Sequence, residues 1–141
     1  MIYERQPPGF QSAFAVVSCF LEYQRKILLL LRADDKPQPR TWGVPAGKVH
    51  DHESLLEAIA REVREETSII LPHSSFSYVR QVFVRYRAYS FSYHMFKAHV
   101  FSRKVTLNQE SSDFKWVTPT ESLELPLIQD EDACIKLVYH L

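Results

Sequence analysis

Apolar residues fall into two rhythms along this chain. In the first, Val, Ile, Leu, Tyr and Phe gather in short runs or alternate with polar residues: Ala13 to Leu21, Lys26 to Arg32, Phe76 to Arg87, Tyr89 to Phe101 and Phe114 to Thr118. Runs of this composition predict strands. The polar turn Glu22-Tyr23-Gln24-Arg25 separates the first two, and Asp34 to Arg40, with Pro37 and Pro39, reads as a loop. In the second rhythm the spacing is helical. Leu56, Ile59, Ala60 and Val63 recur through a stretch, Leu55 to about Thr67, that holds no Gly or Pro. Ser54-Leu55-Leu56-Glu57 ahead of it is a capping box and fixes where that helix begins. Thr120 to Leu123 starts a brief helix, and Asp130 to Tyr139 predicts an amphipathic C-terminal one.

Charge on the first helix changes the picture. At about 100° per residue, Glu62, Glu65 and Glu66 fall in an arc of roughly 100° beside the apolar stripe, while Glu57 and Arg64 point to water. Like charges at these spacings repel, and partial burial raises carboxylate pKa values. A hard divalent cation reverses that sign, because Mg²⁺ and Mn²⁺ prefer oxygen ligands. An acidic helix edge alone would be an ordinary solvated face. What weighs against that reading is the glycine loop before it, Trp42-Gly43-Val44-Pro45-Ala46-Gly47-Lys48-Val49, together with the spacing that links loop and helix.

That spacing runs from Gly47 through Glu53 to Arg61-Glu62-Val63-Arg64-Glu65-Glu66 and ends at Thr67-Ser68-Ile69. It resembles the Nudix box, G-x5-E-x7-R-E-U-x-E-E-x-G-U with U aliphatic, and departs from it at one defined position, where Ser68 replaces the second glycine. The resemblance implies an α/β/α sandwich with a mixed sheet, and metal-dependent hydrolysis of a nucleoside diphosphate derivative. It also implies a metal shell of Glu62, Glu65, Glu66 and the Ala46 carbonyl, holding Mg²⁺ or Mn²⁺. Glu62 is the leading general base. Glu110, ahead of Trp116, is the second candidate for that role, with Asp113 in reserve. Arg61 is expected to orient the carboxylates from its places i+4 from Glu57 and i−4 from Glu65, and Glu53 to secure the loop–helix junction. Gly47 lets backbone and phosphate approach, while Lys48 and Arg32 are candidates for the substrate phosphates. For Lys48 and Arg32 an ordinary surface position stays open.

Two departures touch the loop and not the carboxylates. Ser68 stands where a helix usually ends in a left-handed residue, at a cost to serine of roughly 1 kcal/mol. His52 stands where family members commonly have glycine. His50 and His52 lack a third ligand nearby and read as exposed loop residues. Arg80, Arg85 and Arg87 alternate with Val82, Val84 and Tyr86, so they are expected on an exposed face, at the rim of the substrate cleft. Tyr86, Tyr89, Phe91 and Tyr93 supply either core or a base-stacking ring.

Composition sets outer limits. The 141 residues suit one domain, 1–141, and the 17 basic and 17 acidic residues balance, giving no basic excess for a nucleic-acid or membrane surface. Cys19 and Cys134 lie in apolar runs without metal spacing, as reduced thiols of a cytoplasmic protein would. No apolar run approaches a membrane span. The expected partner is a nucleotide; a homodimer is left open. The alternative function is a non-catalytic Nudix domain that senses a nucleotide or binds a protein, against which the intact carboxylates argue. An isoprenoid diphosphate isomerase would need a catalytic cysteine, and neither cysteine is placed for it. The proline that resembling ADP-ribose hydrolases carry beyond the box is absent from Gln81-Val82-Phe83-Val84, and coenzyme A and NADH signatures are not visible. By elimination the favoured substrate is a nucleoside triphosphate, cleaved to a monophosphate and pyrophosphate.

Overall fold

Both rhythms become the elements they predict in the computed structural model, which describes residues 1–141. Strands β2 (Phe14–Tyr23) and β3 (Lys26–Arg32) form a hairpin whose two-residue turn, Gln24 and Arg25, has φ of 48° and 66°. A primed turn of this kind matches the twist of the strands it joins. It is shorter than the four-residue turn expected, because β2 stays extended through Tyr23. Helix α1 (Leu55–Thr67) follows the capping box, in which the Ser54 hydroxyl accepts from Glu57 N and the Glu57 carboxylate accepts from Ser54 N. Strands β6 (Ser77–Arg85), β7 (Ser90–His99) and β8 (Ser111–Val117) and helices α2 (Pro119–Ser122) and α3 (Glu131–Tyr139) complete the larger elements. Three short strands carry no sequence signal: β1 (Ile2–Tyr3), β4 (Trp42–Gly43) and β5 (Ala46–Lys48). No helix is long and apolar enough to cross a membrane.

The sheet is mixed, in the order β1-β6-β7-β2-β3-β4, with β5 added to β2 and β8 to β3. β2 lies at its centre, parallel to β7 along nearly its whole length. Its pairing with β3 is confined to Glu22↔Ile27 and Tyr23↔Lys26 beside the turn. Beyond that the two strands splay, β2 taking β5 as partner and β3 taking β8 and β4. The splay opens a cleft at the far end of the hairpin.

Alternation along the strands builds two cores, one per face. Val17, Cys19, Leu21, Leu28 and Leu30 pack against Ala58, Ile59 and Val63 of α1. Phe20, Ile27, Leu29, Val82 and Met95 pack against Cys134, Ile135 and Val138 of α3. Each such side chain contributes about 1.5–3 kcal/mol by leaving water, which makes these faces the main stabilising force. The result is an α/β/α sandwich. Both cysteines are free and buried.

Two details of α1 correct the expected stripe and settle its end. Leu56 is exposed, and Ala58 takes the buried place beside Ile59 and Val63. The helix is rotated so that its acidic positions 62 and 66 share the inward edge. Ser68 ends the helix in the left-handed region at φ 64°, its N–H bonded to Arg64 O and its hydroxyl to Thr106 O. Those two bonds offset the strain that a glycine would avoid.

Candidate functional site

The β5 strand puts two chemistries on opposite sides of one short backbone. Its register against β2 pairs Ala46 with Ser18, Gly47 with Val17 and Lys48 with Val16. Gly47 therefore faces α1, while Ala46 and Lys48 face the cleft on the α3 side. On the α1 side the Glu62 carboxylate lies so close that a Cβ at Gly47 would fall inside it. Glycine is required there for that approach and not for its φ.

Glu62 and Glu66, one helical turn apart, are each only 8% exposed. Burial, foremost, then the neighbouring Glu62 and the charge of Glu110, push the Glu66 carboxyl well above the usual carboxylate range. Its Oε2 is buried without a hydrogen-bond partner. A buried unpaired carboxylate oxygen costs several kcal/mol unless something satisfies it. Glu65 behaves differently. Its side chain is 45% exposed and leans on Arg61 at 3.3 Å. The expected cluster of three is thus a buried pair with a rim member, and no three acidic, His or Cys side chains converge on one point. The reason is geometric: Glu65 lies about 100° around the helix from Glu66, at the solvent end of the arc.

Arg61 holds the carboxylates in place. Its Nε and Nη2 donate to Glu53 at 2.7 and 3.0 Å, Nη1 donates to Glu62 at 2.8 Å, and Nη2 also reaches Lys48 O at 3.0 Å. Glu53 further accepts from His50 N at 2.9 Å, and the Arg61 hydrogen bond, more than any other cause, lowers its pKa to about 2. Glu57 is not a partner of Arg61, because the capping box occupies its carboxylate. One guanidinium therefore ties the loop before α1, the β5 backbone and the buried pair together. His50 and His52 are exposed, as expected.

The cleft holds about 330 Å³. Glu66, Ala46, Gly47 and Glu110 form one end of its lining, with Arg32 and Lys48 beside them. Asp113 is outside the cleft and accepts from Phe114 N. Arg32 Nε donates to Pro37 O at 2.6 Å, which fixes its side chain along the cleft. The Lys48 ammonium stands 4.2 Å from the ring centroid of Phe14. At the other end Phe14, Tyr86, Tyr89, Phe91 and Tyr93 make a continuous aromatic wall, with neighbouring centroids 5.3–6.1 Å apart. Of the four aromatics whose role was open, all line the cleft. Arg80, Arg85 and Arg87 do not line it. Arg80 pairs with Glu4, Arg85 lies over Tyr3 and Phe10, and Arg80, two residues before Val82 in unbroken register, shares the face of Val82 instead of alternating with it.

Glu131 was not singled out by the sequence. It opens α3, is only 6% exposed, and its Oε1 accepts from Val44 N at 2.8 Å. Burial raises its pKa to about 7, with Asp132 adding to the effect against the Val44 hydrogen bond. The cleft mouth is bridged by Gln129, whose N–H donates to Gln38 Oε1 at 2.8 Å and whose carbonyl accepts from the Tyr86 hydroxyl at 3.3 Å.

The oxygen donors at the acidic end are carboxylates and a carbonyl, the chemistry of a hard divalent cation. The unpartnered Glu66 oxygen, one turn from a Glu62 carboxylate that only a glycine at 47 lets come so close, fits such an ion.

Known proteins resemble this chain in sequence and in fold. A family model described as NUDIX domain matches residues 9–138. The CTP pyrophosphohydrolase of Escherichia coli (strain K12) is 33% identical over 115 residues, covering 79% of this chain and 81% of that protein. Among solved structures, the MutT protein from Methanosarcina mazei Go1 superposes with a TM-score of 0.80 at 25% identity, covering 90% of this chain and 93% of the other. The NUDIX domain of Shewanella oneidensis NrtR, complexed with ADP ribose, shares the fold with a TM-score of 0.77 at 23% identity, covering 96% and 92%.

Proposed function

The chain belongs to the Nudix hydrolase family, and from that membership we propose that it hydrolyses a nucleoside triphosphate to a nucleoside monophosphate and pyrophosphate with Mg²⁺ or Mn²⁺. The observation that carries the reading is the buried Glu66, with one unpartnered oxygen, at one end of a cleft whose other end is aromatic, with Glu62 directly behind Gly47 of the same lining. A diphosphate and a base need those two environments at once. The 33% identity to a CTP pyrophosphohydrolase supports a triphosphate over a nucleotide sugar.

Glu66, the Ala46 carbonyl, Glu62 and, after release from Arg61, Glu65 would hold the ion. Bound there, it neutralises charge on the diphosphate and makes water more acidic. Glu62 takes the proton of the attacking water, and Glu110, which lines the cleft with Glu66, is the second candidate. Arg61 keeps Glu62 in position. Arg32 and Lys48 hold the phosphate chain, and the aromatic wall holds the base against Glu131, whose second carboxyl oxygen is free to read a base edge. No Ser or Cys nucleophile stands beside a base, so attack comes from water.

Purified protein assayed against a nucleotide panel with Mg²⁺ or Mn²⁺ in ¹⁸O-water should place one label on a product phosphate. Glu62→Gln and Glu66→Gln should each lower kcat by ~10²-fold or more with the fold retained. Near-normal kcat in Glu62→Gln would move the base role to Glu110. Tight nucleotide binding with no turnover in the wild type would favour a non-catalytic binding domain instead.

A further inference from the structure

Lys48 poses an electrostatic puzzle. It follows Gly47 directly and lines the cleft together with the carboxylates of Glu66 and Glu110, yet its ammonium rests on an aromatic ring instead of either of them. A flexible lysine left to itself would fold onto the nearest carboxylate and neutralise part of the acidic site. Two features prevent this. Pairing with Val16 turns the Lys48 side chain to the cleft face, away from Glu62 beneath Gly47, and the Arg61 bond to its carbonyl fixes the backbone. On that face the ammonium rests over Phe14, 4.2 Å from the centroid. The Phe14 ring is itself fixed, parallel to Phe91 at 5.3 Å with 10° between planes, and in contact with Tyr89 at 5.5 Å.

We propose that Phe14 is a positioning residue: its ring holds the Lys48 ammonium in the cleft, off the acidic cluster, where it meets the substrate's phosphate chain. This rests on the reading of the cleft as a nucleotide site and assigns a role within it. A cation over an aromatic face is attracted by the ring quadrupole, and the contact restrains a side chain that otherwise loses much rotamer freedom on binding an anion. The ring also joins the two ends of the cleft, since it is continuous with the aromatic wall. Phe14 therefore acts on phosphate through Lys48, while a direct role in base stacking would leave a base-free phosphate ligand unaffected.

Inorganic tripolyphosphate separates these roles because it has no base. Its Kd is measured by calorimetry with Mg²⁺ on wild type, Phe14→Leu, Lys48→Met and the double variant, with Phe14→Tyr as the ring-conserving control. Thermal melts confirm that each variant folds. The expected result is a Kd about 2- to 5-fold higher for Phe14→Leu, no further rise when it is added to Lys48→Met, and a near-wild-type value for Phe14→Tyr. An equal rise in both backgrounds would assign Phe14 to general packing, and an unchanged tripolyphosphate Kd with weaker nucleotide binding would assign it to base stacking; either overturns the proposal. So does the absence of tripolyphosphate binding to the wild type. Failure of the hydrolase reading shows separately, as no turnover of any nucleotide by the wild type.

Discussion

Replacing Glu131 with Gln removes a titrating proton from the interior while leaving an oxygen to accept from Val44 N. In the wild type the carboxyl titrates at about 7, against 4.5 for an ordinary glutamate, mainly because it is buried. Between those values the folded protein holds a proton that the unfolded chain has released. The contribution of Glu131 to stability is therefore fully present below pH 4.5 and is lost as pH rises through 7, at roughly 1.4 kcal/mol per pH unit between the two values, or about 3 kcal/mol in all. The glutamine variant carries no such loss. Glu53 titrates far lower and Glu66 is common to both proteins, so the difference between them isolates Glu131. Urea melts from pH 5 to pH 8 in EDTA should show near equality at the acid end. At pH 8 Glu131→Gln should be more stable by about 3 kcal/mol, or roughly 5–10 °C in Tm for a chain of this size. A difference that does not vary with pH would mean that the carboxyl is solvated and that the cleft floor is not as closed as its burial implies.

Other perturbations test the neighbouring contacts. Gly47→Ala pushes a methyl into the Glu62 carboxylate, and kcat should fall by about 10- to 100-fold, the equivalent of 1–3 kcal/mol of overpacking; unchanged kcat would show that the close approach of Glu62 to Gly47 does not matter to turnover. Arg61→Lys loses the fork to Glu53 and should lower both kcat and urea stability, the latter by ~1–3 kcal/mol, whereas loss of kcat alone would restrict Arg61 to Glu62. Tyr86→Phe breaks the bridge to Gln129, and a KM increase of up to about 5-fold at constant kcat is expected; an unaltered KM would show that the bridge does not shape the cleft. Mg²⁺ or Mn²⁺ should raise Tm relative to EDTA by binding the native state only, and identical melts with no calorimetric binding would refute the ion site.

The acidic end of the cleft was legible because its signal is local. A capping box, a helical stripe and a glycine loop lie within one stretch, Gly47 to Ile69, and each reports a short-range physical constraint. The rotation of α1 was not legible, since Leu55 and Leu56 are equally apolar and only the sheet decides which leans inward. Strands of two or three residues, such as β4 and β5, are too short to show a period and exist because β2 and β3 offer them edges. Glu131 was missed for a related reason. A glutamate in the first turn of a helix normally faces water and complements the helix dipole. Here a backbone N–H 87 positions earlier in the chain draws it inward, a partner no local pattern announces. The aromatic wall was ambiguous in the same way: strand aromatics look alike whether they meet core or cleft.

The three-residue strand β5 makes the chain's tolerance of length change sharply uneven. Residues Asp34 to Lys36 sit in a loop before Gln38, and chain added there need only bulge outward. One residue added between Val44 and Lys48 is different. With Lys48 still paired to Val16, the insertion would have to break the Val44 tether to Glu131; with Val44 still tethered, every side chain of β5 would change sides. A lysine would then press on Glu62, and glycine would face the cleft. Natural lineages of this fold should therefore drift in length before Gln38 and keep a fixed count from Val44 to Lys48, even where the residues themselves have changed.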